Sequence, residues 1–170
     1  RVFRLGQDLL EVLLRQVVPR HRGRKLVHAF TVDLEAVPEL AARYPGARTL
    51  SLWIQGYSES QTRAQVLLPR TQAEIAAAPG SGGTPLELLR LEVPAAAFAP
   101  DPPERAAYAQ QLLYQKAGFL LGGPIWLQSG RRGLDPSFIA QYDERLAPGA
   151  NFGDAGICYS FADRAEWQCH

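Results

Sequence analysis

The sequence predicts an α+β fold, with two similar strand-rich sheet units arranged as a pseudo-repeat and with flanking helices. Several short segments alternate apolar and polar residues with the two-residue period of a strand, whereas two segments carry the longer apolar spacing of a helix. A strand pattern in residues 29–33 also returns in residues 139–143. The length of 170 residues is typical of one domain, so residues 1–170 are predicted to form a single domain.

Two helices are predicted to flank the strand-rich units. Residues 1–18 form the first helix, because their apolar side chains recur at three- and four-residue steps and would share one helical face. These side chains are Val2, Leu5, Leu9, Val12, Leu13 and Val17. Pro19 and the basic HRGRK segment end that helix. The second helix spans residues 103–117 and connects the two units.

The first strand-rich unit spans residues 26–93. Its opening segment, LVHAFTVDL, is β-branched and aromatic, and TLSLWIQ alternates in the manner of a half-buried strand. The predicted strands are residues 26–34, 49–55, 65–68 and 86–93. A short helical turn is predicted at residues 37–43, after a proline in its first turn. The glycine-rich residues 78–85 lack the lysine of a phosphate-binding loop, which favours a plain loop.

The second strand-rich unit spans residues 119–170. It begins with FLLGGPIWLQ and continues with two predicted strands, SFIAQYD at residues 137–143 and GICYSF at residues 156–161. The pattern AFTVD in the first unit resembles IAQYD in the second, since each has a strand, a polar residue, a large apolar residue and an aspartate. An alternating strand follows each copy, so the sequence predicts a duplicated sheet architecture.

Composition and charge exclude several classes of protein. Eighteen lysines and arginines against seventeen acidic residues give a net charge of +1 without a basic block, so no nucleic acid partner is predicted. The apolar runs fall far short of the roughly 20 residues that span a bilayer, so no membrane partner is predicted. Two cysteines are too few for a disulfide scaffold, which favours reduced thiols and a cytoplasmic location.

The sequence holds no complete catalytic or metal-binding motif. No Gly-x-Ser-x-Gly elbow is present, His28 falls in a predicted strand, and His21 falls in a basic loop. Cys158 alternates onto one face of its strand and is predicted to be a packed thiol rather than a nucleophile. Cys169 and His170 supply only part of the usual four ligands of zinc. No catalytic residue, metal or cofactor is therefore predicted.

Five residues are candidates for a binding site: Trp126, Gln128, Gln141, Asp143 and Asp154. Trp126 and Gln128 follow a Gly-Gly-Pro segment that is either part of a site or only a turn, and burial of the tryptophan is favoured over an exposed anchor. A paired-carboxylate hydrolase would need Asp143 and Asp154 about 5 to 10 Å apart. For Asp154, within FGDAG, the favoured interpretation is a side chain that caps a turn.

Several segments together resemble the YwqG-like bacterial family of unknown function. HAFTVDLEAVP and TLSLWIQ are similar to that family's Q-I-D-L-x-E-h-P section and the strand after it. FLLGGPIWLQ resembles its Gly-Gly-x-Pro-x-Trp-x-Gln segment, SFIAQYD its second glutamine-containing strand, and FGDAGICYSF its W-G-D-x-G segment. WQCH resembles the usual end of the domain. The resemblance covers residues 26–170, with Thr31 in place of the first strand's glutamine and Gln141 in the second.

The resemblance implies an α+β architecture and no known reaction. Because some related bacterial families of this size are immunity proteins, we predict a non-catalytic protein-binding module, with a toxin as its partner if it is a cytoplasmic immunity protein. The alternative is a small-ligand-binding protein or a hydrolase that gathers Trp126, Gln141, Asp143 and Asp154 between the two units. A third interpretation is a module of a longer polypeptide, since the chain begins at Arg1 and contains no methionine.

Overall fold

Strands dominate the residues that the computed structural model describes. Those residues are 2–7, 20–21, 24–55, 65–77, 86–93, 98, 117–128 and 134–169. The strands are β1 (Val2–Gln7), β2 (Arg20–His21), β3 (Arg24–Lys25), β4 (Val27–Asp33), β5 (Thr49–Ile54), β6 (Gln65–Arg70), β7 (Leu86–Leu91), β8 (Gly118–Leu120), β9 (Phe138–Asp143), β10 (Ile157–Phe161) and β11 (Ala165–Gln168). The helical elements are a 3-10 turn (Leu34–Ala36), α1 (Pro38–Ala41) and α2 (Gln72–Ala77).

The strands of these ranges pair antiparallel in three sheets. One sheet has the order β4-β5-β6, and a six-stranded sheet has the order β11-β10-β9-β8-β1-β7. β2 and β3 form a separate pair. Neighbours along the chain are also neighbours within β4 to β6 and within β8 to β11, so local connections build most of both larger sheets.

A shared apolar core lies between the three-stranded and six-stranded sheets. Alternation along β4 and β5 sends Phe30 and Leu52 into this core, and Tyr142 enters it from β9. The rings of Phe30 and Tyr142 meet edge to face, with centroids 5.3 Å apart. Arg43 adds a polar contact, because its Nη1 donates to the carbonyl oxygen of Phe138 at 2.8 Å. Full burial of one large apolar side chain stabilises a fold by about 1.5–3 kcal/mol.

The predicted N-terminal helix is wrong where the structure describes it. Val2–Gln7 form β1, which pairs with β7 on one side and with β8 on the other. The β7 ladder runs along residues 2–7 and the β8 ladder along residues 3–5, and such tertiary pairing overrides a helical spacing of apolar residues. Residues 8–18 lie outside the described residues, as do residues 103–116 of the predicted connecting helix. Ala117, the last residue of that predicted helix, is a bend.

The strand predictions are confirmed for β4, β5, β6, β7, β9 and β10, and α1 lies within the predicted helical turn. β5 was predicted to be half-buried, and this is wrong, because all six of its residues are buried and both of its faces are therefore covered. β7 pairs with β1 in the six-stranded sheet, so residues 26–93 do not form one sheet. The predicted loop at residues 78–85 lies outside the described part of the chain.

An aspartate ends β4 and another ends β9, and both close a turn in the same way. Oδ1 of Asp33 accepts from the backbone N–H of Glu35 at 2.9 Å, and Oδ1 of Asp143 accepts from the backbone N–H of Arg145 at 2.9 Å. The second oxygen of each carboxylate contacts a guanidinium, that of Arg48 for Asp33 and that of Arg145 for Asp143. Both acids therefore shape local backbone, as aspartates in turns commonly do.

Gly156 precedes β10 at a point where no side chain fits. A Cβ there would lie 2.2 Å from the carbonyl oxygen of Phe152 and 2.6 Å from its Cβ. We expect Gly156→Ala to lower the free energy of unfolding by about 1–3 kcal/mol, the range for overpacking. Urea denaturation followed by circular dichroism measures the change.

Ala155 supplies the matched control in the same turn. Its φ is 47°, a value that costs an alanine energy and a glycine almost none. Ala155→Gly is therefore expected to leave stability unchanged or to raise it slightly. Equal destabilisation by the two substitutions would contradict the steric explanation for Gly156.

Candidate functional site

Residues 124–128, here called segment 124–128, cover the outer face of the six-stranded sheet, which is the face turned away from the shared core. β8 ends at Leu120, and the chain then turns through Leu121 and Gly122, whose φ angles are 61° and 83°. A positive φ at leucine is held only where the surrounding structure enforces it. The segment packs on a second apolar cluster, whose buried members are Phe98, Phe119, Ile125, Trp126, Phe138, Ile157, Tyr159 and Phe161.

Gln141 binds the backbone of this segment. Because side chains alternate along β9, Tyr142 enters the shared core and Gln141 takes the outer face. Its Nε2 donates to the carbonyl oxygen of Ile125 at 2.8 Å, and its Oε1 accepts from the N–H of the same residue at 2.7 Å. The side chain is fully buried, so its amide replaces the strand neighbour that Ile125 lacks at this position.

Tyr159 and Gln168 continue this pattern along the segment. The N–H of Leu127 donates to the hydroxyl of Tyr159 at 3.0 Å, and the N–H of Gln128 donates to Oε1 of Gln168 at 3.2 Å. The hydroxyl of Tyr159 also lies 3.1 Å from Oε1 of Gln168. We call Gln141, Tyr159 and Gln168 the polar clamp.

Trp126 lies buried between the segment and the sheet. Its ring stacks on that of Tyr159, with centroids 4.5 Å apart and an interplanar angle of 29°. The favoured interpretation, a buried tryptophan, is confirmed, since only 8% of the residue is exposed. Gln128 is exposed, and its Nε2 donates to the carbonyl oxygen of Cys169 at 3.0 Å.

The structure brings three of the five candidate residues together. Trp126 and Gln128 belong to segment 124–128, and Gln141 binds the backbone of that segment at Ile125. Asp143 lies in the turn after β9 in contact with its own neighbour, Arg145. Asp154 is exposed in a separate tight turn before β10.

The turn predicted around Asp154 is confirmed, although a different side chain caps it. Oδ1 of Asn151 accepts from the N–H of Gly153 at 2.8 Å, and the N–H of Gly156 donates to the carbonyl oxygen of Gly153 at 3.1 Å. The φ of Gly153 is 92°. The glycine therefore supplies the backbone conformation, and the asparagine supplies the cap.

Two residues of the polar clamp, Tyr159 and Gln168, were not among the candidates. Tyr159 lies in the predicted strand GICYSF, and Gln168 lies in the final WQCH segment. The strand register opposes Tyr159 to Gln141, and it opposes Gln168 to Ile157 on the next strand. The signal that could have identified them is the alternation of the neighbouring strands, which places side chains with a polar end group on the same face of the sheet as Gln141.

The cysteines lie in different environments. Cys158 is a buried thiol beside Tyr142, which confirms the packed thiol, whereas the thiol of Cys169 is exposed. Burial raises the pKa of the Tyr142 hydroxyl, and the neighbouring Cys158 raises it further. Within the described ranges, no three histidine, cysteine, aspartate or glutamate side chains group closely enough to hold a metal ion. His170 lies outside these ranges.

His28 belongs to a second polar group, on the outer face of the three-stranded sheet. Its Nε2 lies 2.9 Å from Oγ1 of Thr31, which in turn lies 2.8 Å from Oγ of Ser51. The ring also packs at a tilt on Trp53, with centroids 4.9 Å apart. The residue is exposed, and partial loss of hydration beside these groups lowers the pKa of His28, while a hydrogen bond to the backbone of Phe30 opposes that effect.

The lowered pKa of His28 predicts a pH dependence of stability. The folded state disfavours the protonated ring, so its contribution is fully present above the unfolded pKa of about 6.5 and is lost as the pH falls below that value. We expect the wild type to lose more stability than His28→Gln between pH 7.5 and pH 5.5 in urea denaturation. A loss of the same size in both proteins would show that other groups carry the dependence.

The described residues define an antiparallel protein with two larger sheets, in which glutamine and tyrosine side chains hold a segment of its own backbone. No protein family, curated protein or solved structure matches the chain. Among the described residues, no helix has both the length and the hydropathy that crossing a membrane requires.

Proposed function

We propose that the chain is a non-catalytic protein-binding module similar to the YwqG-like family. The observation that carries the proposal is the pairing of Gln141, whose two amide atoms are both bound to the backbone of Ile125. Asp143 is likewise engaged, with its carboxylate on Arg145 and on the backbone of its turn. The amide of Gln141 cannot serve as a general acid or base, and the carboxylate of Asp143, which could, is engaged by Arg145 and by its own turn. Binding of a protein partner does not require an accessible general acid or base.

We also propose that the two strand-rich units are a pseudo-repeat connected by a helix within residues 103–116. Thr31 and Gln141 stand two residues before the aspartates that end β4 and β9, on the outer faces of their sheets. Val32 and Tyr142 follow them and enter the shared core. The matching turns at Asp33 and Asp143 support the same correspondence.

The partner that we propose is a toxin, which the chain neutralises in the cytoplasm as an immunity protein. The support is the resemblance to the YwqG-like family and the analogy with bacterial immunity proteins of this size. Neutralisation requires tight, stoichiometric binding, because each unbound toxin molecule remains active. The carboxylate-based alternative, a small-ligand-binding protein or hydrolase, is not favoured by the contacts of Asp143 or the separate turn of Asp154.

The test is affinity purification of the tagged protein from its host, followed by mass spectrometry and reconstitution with the purified partner. We expect one partner that binds with 1:1 stoichiometry in calorimetry and that arrests growth when expressed alone. Co-expression of the chain should restore growth. A partner that is harmless alone would reject the immunity function, and the absence of any stoichiometric partner would reject protein binding.

A further inference from the structure

We propose that the polar clamp is a receptor for an extended peptide of a partner protein, and that segment 124–128 fills this receptor in the free chain. The inference rests on the proposed protein-binding function and names the surface and the kind of partner. A peptide that fits would carry an aromatic residue between two apolar residues, as Ile125-Trp126-Leu127 does.

The first observation is that side chains of the sheet bind the backbone of the segment. β8 ends at Leu120, and the last ladder-like bond is donated by the N–H of Leu121 to the carbonyl oxygen of Ile139 at 2.9 Å. Of the backbone-to-backbone hydrogen bonds between described residues, none involves residues 124–128. The clamp instead uses N–H and C=O groups that any extended peptide offers.

The second observation is the combination of backbone and aromatic contacts at the clamp. Gln141 pairs with both backbone groups of Ile125, and the hydroxyl of Tyr159 lies 3.3 Å from the carbonyl oxygen of that residue. The same tyrosine presents its ring to Trp126. Tyr159 therefore contacts the backbone with its hydroxyl and an aromatic side chain with its ring. A peptide receptor combines the same two kinds of contact.

The third observation is a donor that the chain's own segment leaves unused. Gln168 is 4% exposed, and its Nε2 has no hydrogen-bond partner in the part of the chain that the structure describes, although its Oε1 accepts from Gln128. A buried amide without an acceptor is unfavourable, so segment 124–128 is an incomplete occupant. A peptide with a carbonyl or carboxylate oxygen at this position would satisfy the donor and displace the segment. The chain leaves β8 through Leu121 and Gly122, both at positive φ, and these residues are where such a displacement would begin.

The test supplies the segment as a separate molecule. The probe is a synthetic peptide of residues 121–129, LGGPIWLQS, with blocked termini. The protein variant is Trp126→Ala, which removes the ring from the intramolecular segment and keeps all three clamp residues. We expect 1:1 binding in fluorescence anisotropy and a melting temperature raised by about 5 °C at a peptide concentration of about 100 times the Kd.

The wild type should bind the same peptide at least about tenfold more weakly, because its own segment competes at an effective concentration on the order of millimolar. Two matched controls distinguish specific binding at the polar clamp from nonspecific hydrophobic binding of the peptide. In the first control, a peptide with alanine in place of its tryptophan should not bind the Trp126→Ala protein. In the second control, the unchanged peptide should not bind a protein that carries both Trp126→Ala and Gln141→Leu.

Failure of the peptide to bind folded Trp126→Ala would overturn the inference, as would equal binding of the two peptides. If Trp126→Ala does not fold, Trp126→Phe keeps a ring on Tyr159 and is tested by the same measurements. The proposed function has a separate outcome. If a stoichiometric partner is found but the peptide does not bind, the protein-binding function is retained and the polar clamp is rejected as its receptor. If the peptide binds but no stoichiometric partner is found, the polar clamp is retained as a peptide-binding site and the protein-binding function is rejected.

Discussion

Tyr142→Ala is expected to lower the free energy of unfolding by about 3–5 kcal/mol, the range for removal of a buried aromatic side chain. Tyr142 is fully buried between the two larger sheets. Its ring meets Phe30 of the opposite sheet edge to face, and it meets Phe152 with centroids 5.9 Å apart. The truncation removes both contacts and leaves a cavity where the sheets meet. Urea denaturation followed by circular dichroism measures the loss.

Tyr142→Phe is the matched control, because it keeps the ring and removes only the hydroxyl. Oγ of Ser160 donates to that hydroxyl at 3.3 Å, and the loss of one such bond costs about 1 kcal/mol. A loss below about 1 kcal/mol from Tyr142→Ala would contradict the packing of the two sheets through this ring.

A double-mutant cycle with Phe30→Ala tests the contact between the sheets directly. Edge-to-face aromatic pairs contribute about 0.5–1.5 kcal/mol beyond their buried area, so we expect a coupling energy of that size between positions 30 and 142. Additive effects would mean that the two rings are buried independently.

The strands of both units could be predicted because each segment by itself shows the alternation of apolar and polar residues that is typical of a strand. AFTVD and IAQYD alternate with the period of a strand, and both end at an aspartate that closes a turn. Sheet membership could not be predicted in this way. β7 has the same kind of pattern as β5, yet it joins β1 in the other sheet, because pairing partners are chosen by the whole fold.

The same limit explains the error at the N-terminus. Val2, Leu5 and Leu9 have helical spacing, but ladders on both sides of β1 decide the conformation of Val2–Gln7. A periodicity reports which residues can share a face and says nothing about available neighbours. An interior position between two strands that are distant in the sequence therefore cannot be recognised from one segment alone.

Some residues of the candidate site could be predicted from the sequence, but the contacts that these residues make could not. Gln141 was singled out by the resemblance and by its place before Asp143, but its partner is the backbone of Ile125, which a sequence does not mark. Trp126 was correctly expected to be buried, because a tryptophan after a Gly-Gly-Pro turn is more often packed than exposed. The donor and acceptor pairing emerged only from the register of β9 and β10.

Gln141→Leu is expected to lower the free energy of unfolding by about 2–4 kcal/mol. The substitution keeps the size of the side chain and removes both hydrogen bonds to Ile125, whose N–H would then be unpaired and whose C=O would keep only the longer bond from the hydroxyl of Tyr159. Each buried group left without a partner costs about 1–3 kcal/mol. Because the leucine itself is compatible with the apolar cluster around it, the net loss stays below the sum of the two penalties.

Gln128→Leu is the control at the other end of the segment. That amide is exposed and donates one bond to the carbonyl oxygen of Cys169, so its loss should change stability by about 0.5 kcal/mol or less. Hydrogen exchange gives a second measurement, since the amide of Ile125 should lose protection in Gln141→Leu and keep it in Gln128→Leu. Equal stability of the two variants, with Ile125 protected in both, would mean that packing of Trp126 on Tyr159 is sufficient to hold the segment. The polar clamp would then contribute to the direction of its backbone and not to its attachment.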